Sequence, residues 1–301
     1  YDGDEGNKHK IQTLDARAEV RHFASVEACT MNAKSNKPTM GLVYNCITSG
    51  YLISQEDTEI TPSAWAEVTS LLQSREHLTT FAARLARHKV KPMYGRAAFS
   101  LLFPEDFYYT SGDVKIRNGI FISGILTSKH LGPVEGSIIH HMWKFYGKDR
   151  TSRFFTEGQW LLDWFLEYRG FSVGYSACIP HDQSQVDNII ASEVAEANIK
   201  IRALGSKTPD MTEVERDIHE KKVINYLNAI SRIGSRISLE TLDFKSPLNV
   251  MCRGGAKGKE SNIAQIVGCL GQQYVLGSRP LKTMTGKTRS LPYFEPNSDE
   301  I

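Results

Sequence analysis

The residues best suited to hold a cation sit at the start of the chain, in Tyr1-Asp2-Gly3-Asp4-Glu5-Gly6-Asn7. In an extended backbone, side chains at i and i+2 point the same way, so Asp2 and Asp4 can converge on one ion. Gly3 between them permits a tight turn and leaves room for a bulky anionic substrate. A hard cation such as Mg²⁺ needs few carboxylates and fills its remaining positions with water and phosphate oxygens. A solvated acidic loop is the competing reading. An EF-hand beginning at Asp2 is excluded, because Gly6, Asn7 and Thr13 occupy the places that require an acid or amide, a glycine and a glutamate.

A second polar concentration lies near the other end. Gly254-Gly255-Ala256-Lys257-Gly258-Lys259 has the look of a phosphate cradle, but Arg253 and Glu260 stand where a P-loop needs glycine and Ser/Thr. Downstream, Gln265, Gln272 and Gln273 offer both donors and acceptors. They suit either a polar network bracing a loop or the lining of a channel. The pair His140-His141 does not suit a metal, since adjacent helical residues point about 100° apart. Arg84, Arg87, His88, Lys89 and Lys91 form a basic run, read first as a solvated helix face and second as a contact for nucleic acid or substrate.

The elements that must carry these residues are mostly helical. Mixed charge and alanine over Asp15–Cys29 predict a helix whose apolar side, with Val20 and Phe23, seats on a neighbouring domain. Thr61-Pro62-Ser63 opens a short helix. The stretch Tyr94–Ile125 reads as β, with Asn118-Gly119 between two alternating runs marking a hairpin turn. Gly136-Ser137 opens a helix that stops near Gly147. The next one, starting near Lys148 or at Thr156, carries a Trp160, Leu161, Trp164, Phe165, Tyr168 stripe, read as core, and ends at Gly170. Apolar residues at Ile190, Val194, Ala197, Ile201 and Leu204, then at Met211, Val214, Ile218, Leu227 and Ile230, predict two long helices. The polar loop at Gly205–Pro209 makes them an antiparallel hairpin.

Composition sets the outer bounds. A chain of 301 residues with 41% hydrophobic and 23% charged residues is long enough for two or three modest soluble domains. A net charge of +2 carries no overall basic footprint for nucleic acid. Five cysteines without CxxC spacing argue against a zinc site or a disulfide frame and suit a reducing compartment. No signal segment is legible, and runs such as Ile120-Phe121-Ile122 are too short to span a bilayer, so no membrane partner is expected. Opening on tyrosine, the chain reads as a piece of something larger.

Taken in order, these stretches resemble the largest subunit of multisubunit DNA-directed RNA polymerases, of eukaryotic type. Tyr1 to Asn7 is similar to the end of that family's metal-binding loop, Asn-Ala-Asp-Phe-Asp-Gly-Asp-Glu-Met-Asn, with Asp2 and Asp4 on its second and third aspartates. The first would fall just before Tyr1. Ser35-Asn36-Lys37-Pro38-Thr39-Met40-Gly41, Gly124-Ile125-Leu126 and Gly170-Phe171-Ser172-Val173-Gly174 follow the family text. So does Gly255-Ala256-Lys257-Gly258, followed by Asn262-Ile263-Ala264-Gln265, Gly271-Gln272-Gln273, Gly277, Arg279 and Arg289-Ser290-Leu291-Pro292. Gly6, Tyr1 and Leu281–Lys287 depart from it, as in a divergent lineage such as a large DNA virus, with a cellular origin left open.

The resemblance implies an α+β, mostly helical internal fragment in three parts: 1–20 ending the active-site loop, 21–180 a mixed α/β pore domain, and 181–301 a funnel domain built on the helical hairpin. It implies DNA-templated addition of ribonucleotides by a two-metal mechanism, with one resident Mg²⁺ and one arriving with the nucleotide. Asp2 and Asp4 would be the metal-binding and catalytic residues. Lys257, Asn262, Gln265, Gln272, Gln273 and Arg279 would line the substrate channel or support the site. Partners would be the second-largest and other polymerase subunits, DNA template, RNA product, ribonucleoside triphosphates and a transcript-cleavage factor at the funnel. The compartment would be the nucleus if the chain is cellular, or a virus factory, virion or host nucleus if viral. The family's bridge helix and trigger loop would follow residue 301, so the chain alone should not catalyse. The alternative is a non-catalytic paralogue or split-gene module that assembles with polymerase subunits and holds no metal.

Overall fold

The computed structural model describes residues 3–72, 78–205 and 210–297. Asp2 and the hairpin tip at 206–209 lie outside the described residues. The chain forms two compact units, Tyr1–Phe171 with Gly254–Ala256, and Ser172–Arg253 with Lys257–Ile301. Helices dominate and sheets are small, as the α+β, mostly helical expectation required.

In the first unit, α1 (Leu14–Glu19) is capped by the Thr13 hydroxyl, which accepts from the Ala16 amide. The helix expected over Asp15–Cys29 does not continue. It widens into a π-turn at Val20–Ala24 and ends in a 3₁₀ turn at Ala28–Thr30, leaving Leu14, Phe23 and Val26 exposed. Without a partner for that apolar side, a short helix has little tertiary packing to sustain it. Strands β1 (Met31–Asn32) and β2 (Lys37–Pro38) then pair antiparallel across a turn at residues 33–36.

The core of this unit is built by α2 (Asn45–Ile53), α3 (Pro62–Leu71), α4 (Leu78–Arg87) and α5 (Gly95–Ser100) against a three-stranded sheet and one long helix. The sheet is β3 (Tyr109–Ser111), β4 (Val114–Arg117) and β5 (Ile120–Ser123), antiparallel in that order. Asn118 and Gly119 make the β4–β5 turn at φ 50° and 69°, the left-handed pair that a tight hairpin needs. The expectation of β structure from Tyr94 onward fails at its start, because Gly95–Ser100 is helical. Ala97, Ala98, Phe99 and Ser100 are all buried, and a single half-buried charge at Arg96 sets no period that could separate helix from strand.

After the single turn α6 (Ser128–Leu131), α7 spans Ile138–Arg169, capped by Ser137. Gly147, at φ 77° and ψ −179°, breaks it where the sequence predicted a stop, and the second segment follows at once, so Thr156 lies inside a helix. The aromatic stripe is only partly core. Phe154, Leu161, Leu162 and Phe165 are buried, whereas Trp160 and Tyr168 are half-exposed. Trp164 stacks on Tyr168 and donates to Glu67 of α3 at 3.2 Å, so its polar edge is used at the rim.

The second unit is organised by the hairpin of α8 (Gln183–Leu204) and α9 (Glu213–Thr241). Asp182 caps α8, and Thr212 and Glu215 form a reciprocal capping box on α9. Ile201, Val223 and Leu227 close the hairpin, and buried His219 reaches from α9 to the Gly205 carbonyl at 2.7 Å, tying down the end of α8. Helices α10 (Pro247–Gly254) and α11 (Glu260–Val267) complete the unit, with Leu248, Ile263 and Val267 packed around Leu242.

Candidate functional site

The acidic loop is open. Residues 4–12 adopt no regular structure, and Asp4 and Glu5 are exposed beside Gly3 at φ 101°. Asp4 makes no ion pair among the described residues, so its carboxylate is available to a cation. Among the described residues, no group of three His, Cys, Asp or Glu side chains converges on a metal position. The donor chemistry suits a hard ion such as Mg²⁺, but Asp4 needs further carboxylates to complete a cage.

The second unit gathers the other candidates along one path from α11 back to α9. Asn262 is exposed and accepts the Lys259 amide at 2.7 Å, closing the first turn of α11. Lys257, also exposed, stands just before that turn. Gln265 and Gln273 both donate to the Leu270 carbonyl, at 3.5 and 3.1 Å, and Gln272 donates to the Gln273 carbonyl at 2.7 Å. All three amides therefore brace the backbone of their own loop. Their donors are spent on local carbonyls that the chain would otherwise leave to water.

From that loop the chain returns to α9 at two points. The Tyr274 hydroxyl donates to Asn228 at 2.5 Å. Arg279 then grips Glu220 with both arms of its fork, Nε to Oε1 at 2.6 Å and Nη2 to Oε2 at 3.0 Å. Such bidentate pairs fix direction as well as distance. Six of the sequence candidates thus fall in one continuous segment of the second unit: three amides stabilise a loop, Arg279 anchors it, Asn262 caps the helix before it, and Lys257 precedes that helix. The role of Glu220 was not legible, since nothing in a solvated helix face distinguishes the one acid that receives an arginine 59 residues away.

The first unit holds a cleft of about 730 Å³ between the start of α2 and the last turns of α7, lined by Tyr44, Asn45, Gln159, Asp163, Glu167 and Phe171. Tyr44 begins α2 at φ 51° and ψ −113°, an unfavourable backbone for a residue with a side chain. Cys46, in the wall, is buried and faces Asp163 at 3.9 Å. Burial first, and then that carboxylate, push its thiol pKa up to about 12, so it is not a nucleophile at neutral pH. His140 accepts the Gly136 amide, while His141 packs edge-on against Tyr109 with ring centroids 5.1 Å apart. Both are structural, as their divergent directions on the helix predicted.

A family model described as RNA polymerase Rpb1, domain 3, matches residues 29–178, and one described as RNA polymerase Rpb1, domain 4, matches residues 201–301. The chain is 28% identical over 327 residues to the probable DNA-directed RNA polymerase II subunit RPB1 homolog of Invertebrate iridescent virus 6, covering 99% of this chain and 31% of that protein. It is 26% identical over 319 residues to the DNA-directed RNA polymerase subunit Rpo1N of Thermoplasma acidophilum, covering 98% and 35%. The Halobacterium salinarum subunit Rpo1N is 27% identical over 312 residues, covering 99% and 31%. The chain therefore spans about a third of the length of the curated relatives it matches.

Proposed function

Because the chain belongs to the family of RNA polymerase largest subunits, we propose that it forms the pore and funnel region of such a subunit and closes its metal-binding loop. The observation that carries this reading is the order of the two family models, which together run through most of the chain. The activity of the whole protein would be DNA-templated RNA synthesis, in company with the second-largest and other polymerase subunits.

Within that activity, Asp2 and Asp4 would hold the resident Mg²⁺ together with a further carboxylate of the full-length subunit. The ion would polarise the RNA 3′-hydroxyl and offset charge during in-line phosphoryl transfer. The residues of this chain bind and orient. Asp4 contributes a negative oxygen ligand from a loop with room for an anionic substrate. Gln265, Gln272, Gln273 and Arg279 hold the post-α11 loop in one shape against α9, which makes them positioning residues at the channel wall. The α8–α9 hairpin forms the funnel rim, where a transcript-cleavage factor would enter. We assign residues 1–20, 21–180 and 181–301 to loop, pore and funnel. The compartment is that of the assembled polymerase, the nucleus for a cellular enzyme and a virus factory, virion or host nucleus for a viral one.

The test is Asp2→Asn or Asp4→Asn in the full-length subunit, which keeps the shape and an oxygen ligand but loses the charge. Each variant is expected to assemble and bind template normally yet extend RNA at a small fraction of the normal rate, with partial rescue by excess Mg²⁺ or Mn²⁺. Elongation at normal speed in either variant would remove these residues from the site and favour a non-catalytic module.

A further inference from the structure

We propose that the outward face of the β3–β4 ribbon, together with the C-terminal end of α4, is a binding surface for single-stranded nucleic acid. The register pairs Tyr109 with Ile116 and Thr110 with Lys115, and successive side chains in a strand alternate between faces. Tyr109, Val114, Ile116 and Phe121 are buried on one face, so Tyr108, Thr110, Lys115 and Arg117 share the other, which is open along β3 and β4 and covered at β5, where Ile120 opposite half-buried Arg117 is buried. Tyr108 is 52% exposed, and the Arg117 guanidinium lies 5.6 Å from the centre of its ring.

The end of α4 is fastened beside this face. Arg84 donates to the Asn118 carbonyl at 2.9 Å, and His88 meets the Asn118 side chain at 3.3 Å, so α4 docks on the β4–β5 turn. That contact carries the exposed Arg87 and Lys89 to the same edge. Arg87, Lys89, Lys115 and Arg117 make no ion pair among the described residues. Of the nearby acids, Glu105 is engaged by Arg84 and Thr80, and Asp106 accepts from the Tyr146 hydroxyl. Asp113, exposed in the β3–β4 turn, is a further acid among the described residues of the sheet.

Uncompensated cations beside an exposed aromatic ring match a single strand, whose phosphates take the charges and whose unpaired bases stack on the ring. A duplex offers no free base face to Tyr108, and an acidic peptide would have no use for it. This inference does not rest on the polymerase reading, since binding can be measured without any nucleotide addition.

The experiment is fluorescence anisotropy of the full chain with labelled oligouridylate and oligothymidylate of about 15 nucleotides, titrated at several salt concentrations. Four phosphate contacts at about −0.7 each predict a slope of log K against log salt near −3. Lys115→Glu with Arg117→Glu should weaken binding at least tenfold and flatten the slope by about 1.4. Tyr108→Ala should weaken it about fivefold to 150-fold with little change in slope. Lys115→Arg, and the control Lys221→Glu with Lys222→Glu on α9, should leave affinity within twofold. Tighter binding of RNA or of DNA would each support the surface and identify the strand it prefers. If the double reversal fails to fold, Arg87→Ala with Lys89→Ala must show a loss and a flattened slope in its place. Preference for duplex, equal loss from the α9 control, or binding indifferent to Tyr108 and to the cations would overturn the proposal.

Discussion

Cutting the Arg279–Glu220 clamp should loosen the second unit by an amount its exposure bounds. The two side chains are 17% and 22% exposed, between the limits of a solvated pair and a buried one. Solvated pairs are worth about 0.2–1 kcal/mol, and removing one partner of a fully buried pair costs about 3–5 kcal/mol. A bidentate, charge-assisted contact at 2.6 and 3.0 Å that is about four-fifths buried should therefore cost about 1–3 kcal/mol when Arg279→Ala or Glu220→Ala removes one side.

Both residues make other contacts, so the single variants alone would overcount the clamp. A double-mutant cycle in urea, with Arg279→Ala, Glu220→Ala and the pair, isolates the coupling, expected at about 1–2 kcal/mol. Arg279→Lys should recover less than half of it, because an ammonium cannot present the fork. A coupling under about 0.3 kcal/mol, at the noise of additivity, or full rescue by lysine, would refute the claim that fork geometry fastens the loop to α9.

The remaining predictions concern other parts of the chain. His130 and His141 both have their pKa lowered, chiefly by burial, and His130 Nδ1 accepts the Thr127 amide, a bond only the neutral ring can make. Their folded pKa values lie below the unfolded value of about 6.5, so the stability they contribute is present above that pH and is lost as pH falls below it. The melting temperature of the first unit should drop between about pH 6.5 and 5, and His141→Phe should flatten the profile; an unchanged profile in that variant would exclude His141. Gly124→Ala should destabilise by about 2 kcal/mol or more, since φ is 97° and the added carbon would meet Val114 Cα and the Asp113 carbonyl oxygen at 2.5 and 2.6 Å. A melting temperature within a degree of the parent would contradict that geometry. Gln272→Ala or Gln273→Ala should slow nucleotide addition while subunit assembly, followed by gel filtration, stays normal; failure to assemble would make both amides purely structural.

The elements that were legible in the sequence are those whose patterns are local. The α8–α9 hairpin follows from a helical period that keeps Ala197, Ile201 and Leu227 on facing sides. The β4–β5 turn follows from Asn118-Gly119, because few other pairs accept two left-handed residues in succession. What was lost has a common cause. Gly95–Ser100 is buried apart from half-buried Arg96, whose guanidinium turns in to the Ser54 carbonyl, so burial erases the period that would have identified a helix. The Asp15–Cys29 helix was expected from composition, but an apolar side without a packing partner does not prolong it.

The candidate site divides along the same line. The family resemblance singled out Gln265, Gln272 and Gln273, and residue type established that they can donate, but neither identifies the acceptor. The structure assigns those donors to the Leu270 and Gln273 carbonyls, contacts within five residues. Arg279 differs, because its acceptor lies in another helix and only the fold brings Glu220 to it. A short-range amide bond shapes the loop, whereas the long-range fork decides where that loop is held. Shape and anchorage are therefore separable: glutamine variants should alter what the loop presents, and Glu220 variants should alter its attachment to α9.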